Sequence, residues 1–184
     1  MGVAVTLSTG DPLLDRLTGG GFPCAGITDL YGPRKSGKKL LLDLAKQACK
    51  RQGLRVVEAG IEVGLGELVL RFPGVDLMIV RGRPPATFDG YQTMSRLLTA
   101  SGAALVFVSQ DRDLPLQLYG VDDHQRVYEP GGIAMRFNSR LRLRFGNGRI
   151  TVMKSTEGSG AHIPWPGHEK PEPSLTLFDH LHQD

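Results

Sequence analysis

The spacing of apolar positions changes several times along the chain, and each change predicts an element. Residues 27–31, ITDLY, predict a short strand that runs into GPRKSGKK. Over residues 38–52, Leu41, Leu42, Leu44, Ala45, Ala48 and Cys49 recur at helical spacing, while Lys39, Asp43, Lys46 and Lys50 share the opposite face. That stripe predicts an amphipathic helix, with Lys50 and Arg51 suited to its negative end and Gly53 to its stop. Strands are predicted at 54–58, 77–80 and 105–108, with a helical turn over 67–72 and a helix carrying Tyr91, Met94, Leu97 and Leu98 that ends near Gly102. Short buried strands alternating with helices predict an α/β domain around a largely parallel sheet.

From Ser139 the period becomes two, through SRLRLRF, a Gly-Asn-Gly turn and RITVMKS, which predicts a C-terminal β-hairpin. Leu141, Leu143, Phe145, Ile150 and Val152 then face the core, and Arg140, Arg142, Arg144 and Arg149 face away. This arginine ridge, extended by Arg136 and Lys154, is the candidate nucleic-acid surface, because one strand face can align guanidinium groups for phosphate contacts. Charges that block an exposed sheet edge are the competing explanation. Residues 111–130 form a long aperiodic loop. Residues 1–155 are read as the core domain and 156–184 as a flexible Pro-rich tail. Leu175, Leu177, Phe178 and Leu181 make an apolar island in that tail, and the first three are candidate partner-binding residues; packing back on the parent domain is the competing explanation.

Composition narrows the class. At 184 residues, 40% hydrophobic and 22% charged, the chain has the make-up of one ordinary globular domain. A formal net charge of +3 excludes a uniform basic coat, so any nucleic-acid contact depends on where the cations cluster. No apolar run approaches about 18 residues, and the N-terminus lacks a basic start and an apolar stretch, so no membrane partner and a cytoplasmic location are expected. Cys24 and Cys49 read as isolated thiols, and the one His-x-His in the tail is not a metal site; no metal ligands are assigned.

The sharpest motif is GPRKSGKK, between the first strand and the first long helix. Through Gly32, Gly37 and Lys38 it fits the phosphate loop, in which glycines let backbone N–H groups wrap a phosphate and the lysine reaches the outer phosphates. Arg34, Lys35, Ser36 and Lys39 complete the candidate phosphate-binding set. Lys39, however, stands where a Ser or Thr hydroxyl would hold Mg²⁺. The strands LMIV and LVFV are followed by Arg81 and Ser109, where a metal-binding Asp is needed. No catalytic residue is therefore assigned, no cofactor is required, and ATP, if bound, is not expected to be hydrolysed.

STGDPLLDRLTGGG followed by ITDLYGPRKSGKK resembles the opening of the RecA/RadA recombinase superfamily core, through Ser8, Thr9, Gly10, Leu14, Asp15 and Gly19 to Gly21. FVSQ and EPGGIAMRFNSRLRLRFGNGR are similar to the family's sensor strand, its Gly-Gly helix and its closing hairpin. The resemblance places Gln110 at the sensor position and residues 111–130 at the DNA-binding loop, although that loop is acidic here. Residues 104–110 match either the sensor strand or the metal-site strand; the first match, preferred because Gly131 and Gly132 follow at a family-like distance, puts Arg81 in the metal carboxylate's place, the second Ser109. Glu58 and Glu62 lie nearest the family's catalytic glutamate.

The resemblance implies a RecA-like P-loop core and a non-catalytic accessory in DNA repair, recombination or damage tolerance, in the setting of RadB-like or ImuA-like proteins. Its expected partners are DNA and a recombinase, repair polymerase or sliding clamp. The alternatives are a DNA-dependent ATPase with an atypical phosphate loop and a protein-interaction scaffold without DNA affinity.

Overall fold

A computed structural model describes residues 5–60, 65–82, 88–110, 112–113, 127–128, 132–156 and 158–166. At the N-terminus, β1 (Thr6–Leu7) and β2 (Phe22–Pro23) pair around helix α1 (Pro12–Thr18). The helix starts where its sequence directs: the Asp11 carboxylate accepts from the N–H groups of Leu13 and Leu14, Pro12 occupies the first turn, and Gly19 closes the end in the left-handed conformation. The Asp15 carboxylate in turn accepts from the Ser8 hydroxyl at 2.6 Å and from the Thr9 amide at 2.8 Å and hydroxyl at 2.6 Å. The Ser-Thr-Gly and Leu-Asp residues are thus a structural staple.

Along the chain follow β3 (Gly26–Tyr31), α2 (Lys38–Arg51), β4 (Val56–Gly60), α3 (Leu65–Arg71), β5 (Leu77–Arg81), α4 (Phe88–Ser101) and β6 (Ala104–Val108). After these come the paired two-residue strands β7 (Arg112–Asp113) and β8 (Val127–Tyr128), then α5 (Gly132–Asn138), β9 (Leu141–Gly146), β10 (Arg149–Lys154) and β11 (His162–Pro164). Seven strands form one sheet in the order β11-β10-β9-β3-β6-β5-β4. The five from β9 to β4 run parallel, and β10 and β11 add antiparallel. The expected α/β fold with a largely parallel sheet and a C-terminal hairpin is therefore present. On one face Leu41, Leu42 and Ala45 of α2 pack on Leu30, Ile79, Val106 and Leu143; on the other Tyr91, Met94 and Leu98 of α4 and Met135 of α5 pack on Ile27, Met78, Val80 and Phe107. Cover on both faces explains why residues 77–80 of β5 and Ala104–Val108 of β6 read as unbroken apolar runs.

The hairpin turns at Asn147 and Gly148, with φ of 52° and 67°, the geometry of a tight two-residue turn that Asn-Gly favours. Leu141, Leu143, Phe145, Ile150 and Val152 are buried as expected. Arg142 departs from the expectation that it faces away with its neighbours. It is on the face opposite those leucines, but that face is roofed by α5, leaving the residue 2% exposed. Its guanidinium pairs with the fully buried Asp29 carboxylate of β3 at 3.0 Å and lies 4.7 Å from the Tyr31 ring centroid.

A second correction concerns the tail. Instead of leaving the domain at residue 156, the chain returns as β11, pairing Ile163 with Ile150 and His162 with Thr151. Ile163 and Trp165 alternate onto the core face, and the Trp165 ring meets Phe145 edge-on at 6.4 Å. Pro164 is tolerated because β11 is an edge strand. Residues 167–184, including Leu175, Leu177 and Phe178, lie outside the described residues. Among the described residues no helix is long and apolar enough to cross a membrane.

Two stability outcomes follow. Arg142→Met leaves the Asp29 carboxylate buried without its cation and should cost about 3–5 kcal/mol in urea unfolding, whereas Asp29→Asn combined with Arg142→Met should recover most of that loss. Equal losses for the single and double variants would contradict the pairing. Trp165→Ala should cost about 3–5 kcal/mol through the cavity it leaves, a loss that a flexible tail residue would not produce.

Candidate functional site

The phosphate loop connects the carboxyl end of β3 to the start of α2, at the edge of the sheet where open α/β proteins bind ligands. Gly37 caps α2 at φ 90°, and a Cβ there would come within 2.6 Å of the Trp165 ring, so glycine is required both by conformation and by space. Trp165 Nε1 donates to the Gly37 carbonyl at 3.1 Å, which ties the last strand of the sheet to the loop. Lys38 Nζ turns back to donate to the carbonyls of Gly32 and Pro33 and to the Ser36 hydroxyl, and Ser36 Oγ donates to the Pro33 carbonyl at 2.9 Å. Arg34, Lys35 and Lys39 surround this turn, with Arg34 and Lys35 at its outer side and Lys39 opening the helix.

Strand order assigns the positions that border the loop. β6 lies directly beside β3, and β5 lies beyond it. Val108 of β6 is level with Leu30 and with Arg81 of β5. Just past β6, Gln110 Oε1 accepts from Arg34 Nε at 2.9 Å, so the sensor-like residue touches the phosphate loop itself. Arg81 alternates with Leu77 and Ile79, which belong to the α2 face and hence to the loop's side. Ser109 alternates with Phe107, which belongs to the opposite face. Of the two residues weighed for the metal carboxylate's place, Arg81 is the one on the loop's face.

Arg81 is part of a network of ion pairs. Its guanidinium is 3.7 Å from Glu58 of β4, Glu58 is 2.8 Å from Lys46 of α2, and Lys46 is 2.9 Å from Asp43. The Lys46 hydrogen bond is the main cause holding the carboxyls of Glu58 and Asp43 below their ordinary range, and those two acceptors in turn raise Lys46. The network therefore stays charged across neutral pH. Each pair is partly solvated and adds little stability by itself. Its chemical effect is larger, because the carboxylate nearest the crevice is already engaged by two cations. The residues of this crevice do not fit a Mg²⁺ site: Lys39 and Arg81 offer donors only, while the ion needs oxygen ligands. Glu62, the other acidic candidate, and most of loop 111–130 lie outside the described residues.

The arginine surface is only partly assembled as read. Arg136, Arg140, Arg144 and Arg149 are exposed, whereas Arg142 lies beneath them in its pair with Asp29. Lys154 donates to the carbonyls of Arg136 and Phe137 at 3.0 and 3.1 Å, closing the C-terminal end of α5. Burial, then the nearby Arg142 and Arg136, lower its pKa. Sequence reasoning missed Asp29, Lys46 and Trp165. An acidic residue inside the apolar run ITDLY was a usable signal for the first, since a buried charge requires a partner.

No protein-family model matches the sequence. Among solved structures the fold is similar to the crystal structure of the RadB recombinase, with a TM-score of 0.60 and 16% sequence identity, covering 85% of this chain and 94% of that one. The likeness is one of fold, and it agrees with a RecA-like core built on a mostly parallel sheet.

Proposed function

We propose that this protein is a non-hydrolysing RecA-fold accessory in DNA recombination, repair or damage tolerance, which contacts DNA through its hairpin arginines and works beside a recombinase, repair polymerase or sliding clamp. The observation that carries the reading is the ion-pair network of Arg81, Glu58 and Lys46 beside a phosphate loop whose hydroxyl position is Lys39. Phosphoryl transfer in this fold class relies on a divalent ion that neutralises and orients the phosphate oxygens. A guanidinium and an ammonium supply charge in its place, without the water shell or Lewis acidity. The likeness to a recombinase fold supports the biological setting.

Exposed Arg136, Arg140, Arg144 and Arg149 support phosphate contact, because it needs clustered cations with solvent access. The tail residues Leu175, Leu177 and Phe178 are proposed as the anchor for the protein partner. A second reading, nucleotide binding without turnover, is favoured by Lys38, which stands at the lysine position of the phosphate-loop pattern at the start of α2.

A DNA titration at several salt concentrations, with ATP-binding controls, tests these readings together. Mg²⁺-dependent ATP hydrolysis should stay at background with and without DNA; robust turnover that Lys38→Ala abolishes would overturn the non-hydrolysing reading. Replacing Arg140, Arg144 and Arg149 by Ala should weaken DNA binding and lower the log–log salt slope by roughly 0.7–0.9 for each phosphate that is no longer neutralised. Arg142 is left in place because the fold needs it. A folded triple variant with unchanged affinity and slope would remove DNA from the proposal.

A further inference from the structure

Eight large apolar side chains are exposed among the described residues, and four of them, Phe88, Ile133, Phe137 and Met153, come together in one place. Ile133 and Phe137 project from α5 at 77% and 74% exposure, Phe88 stands edge-on to Phe137 at 6.1 Å, and Met153 of β10 forms the facing wall. Ile133, Phe137 and Met153 line a groove of about 480 Å³ between α5 and β10, whose remaining described walls are Arg136, Arg142 and Lys154. Isolated exposed apolar residues are ordinary, but a contiguous patch of this kind marks an interaction site. Of the three cations in the described groove walls, Arg142 is neutralised by Asp29, while Arg136 and Lys154 add positive charge and no carboxylate is among the described wall residues. Its ligand should therefore combine apolar side chains with negative charge.

The chain carries a segment of that composition. In PEPSLTLFDHLHQD, Leu175, Leu177, Phe178 and Leu181 are interleaved with Glu172, Asp179 and Asp184. The segment is also within reach. Trp165 donates its amide to the Gly148 carbonyl at one end of β10, and Met153 is five residues further along that strand. Five residues of strand cover about 17 Å, whereas the nine steps from Pro166 to Leu175 span up to about 30 Å when extended, enough to round the edge strand and reach the groove.

We propose that the groove between α5 and β10 is the docking site of the chain's own C-terminal segment 175–181, with its leucines and Phe178 against Ile133, Phe137 and Met153 and its one acidic residue, Asp179, toward Arg136 and Lys154. Docking covers both apolar surfaces at once, and it keeps the proposed partner anchor out of solvent until a partner displaces it. The depressed pKa of Lys154, caused by burial and by its cationic neighbours, agrees with a groove short of negative charge. Docking of the tail is independent of the DNA reading, and its test contains no nucleic acid.

The test compares the full chain with its Leu177→Asp/Phe178→Asp variant, following anilinonaphthalene sulfonate fluorescence and hydrogen exchange over residues 132–138. The variant should bind the dye several-fold more brightly and exchange α5 amides several-fold faster, with Trp165 emission reporting an unchanged fold. Adding Phe137→Ser should return the dye signal to the parent level, and an excess of a synthetic peptide of residues 170–184 should restore protection to the variant. Identical dye binding and exchange in parent and variant would overturn the proposal, as would failure of the peptide to restore protection. Protection in the parent that fades on dilution would overturn it too, by assigning the groove to the tail of a second copy.

Discussion

The buried pair of Asp29 and Arg142 is the interaction on which the rest of the structure depends. Asp29 is the middle of the strand that delivers the phosphate loop, and Arg142 belongs to the hairpin strand that joins the parallel half of the sheet to its antiparallel extension. Neither charge can be left alone at that depth, so the pair specifies the register of β9 on β3 more strictly than apolar contacts could. The cost of desolvation is offset by the 3.0 Å contact and by the Tyr31 ring beneath the guanidinium. Tyr91 of α4 is buried in the same layer, and its phenol is pushed well up by burial and by the Asp29 charge. With this layer in place the carboxyl ends of β3, β6 and β5 are aligned, and the loop, Gln110 and Arg81 occupy one edge.

On that edge Gly32, Gly37 and Lys38 fit the pattern of a phosphate-binding loop, while Lys39 and Arg81 supply hydrogen-bond donors only. Gly37 is required by its contact with Trp165, whether or not a phosphate ever binds, so retention of the glycine is explained by packing alone. Lys38 bonds to its own loop, and Glu58 is held between Lys46 and Arg81. The charge of Glu58 is thus balanced by the protein's own cations. The open positive charge lies elsewhere, on Arg34, Lys35 and Lys39 at the loop and on the arginines of the hairpin and α5.

Much of this was legible in the sequence, for reasons that also mark where reading stopped. The stripe of Leu41, Leu42, Ala45, Ala48 and Cys49 gave α2 nearly to the residue, and the two-residue Asn-Gly turn gave the hairpin. Period-two alternation correctly put Arg142 opposite Leu141 and Leu143, but alternation tells which face a side chain takes, not what covers that face. The covering helix α5 is only seven residues long, and its exposed Ile133 and Phe137 do not follow a helical core stripe. β11 escaped notice because three residues between glycines and prolines carry too little pattern to outweigh the composition of a tail. The preference for Arg81 over Ser109 rests in the sequence on the distance from FVSQ to Gly131 and Gly132, and the position of β6 between β3 and β5 agrees with it.

Trp165 is the only tryptophan of the chain, and its ring lies against the phosphate loop, which gives the central claim a direct optical readout. ATP titrated into the full chain while Trp165 emission is followed, once with Mg²⁺ and once with EDTA, asks whether this crevice handles a metal. A crevice with Lys39 and Arg81 at the metal positions gains nothing from the ion, so any transition should be at least as tight in EDTA, where ATP keeps its full negative charge. A transition that appears only with Mg²⁺ would contradict the account.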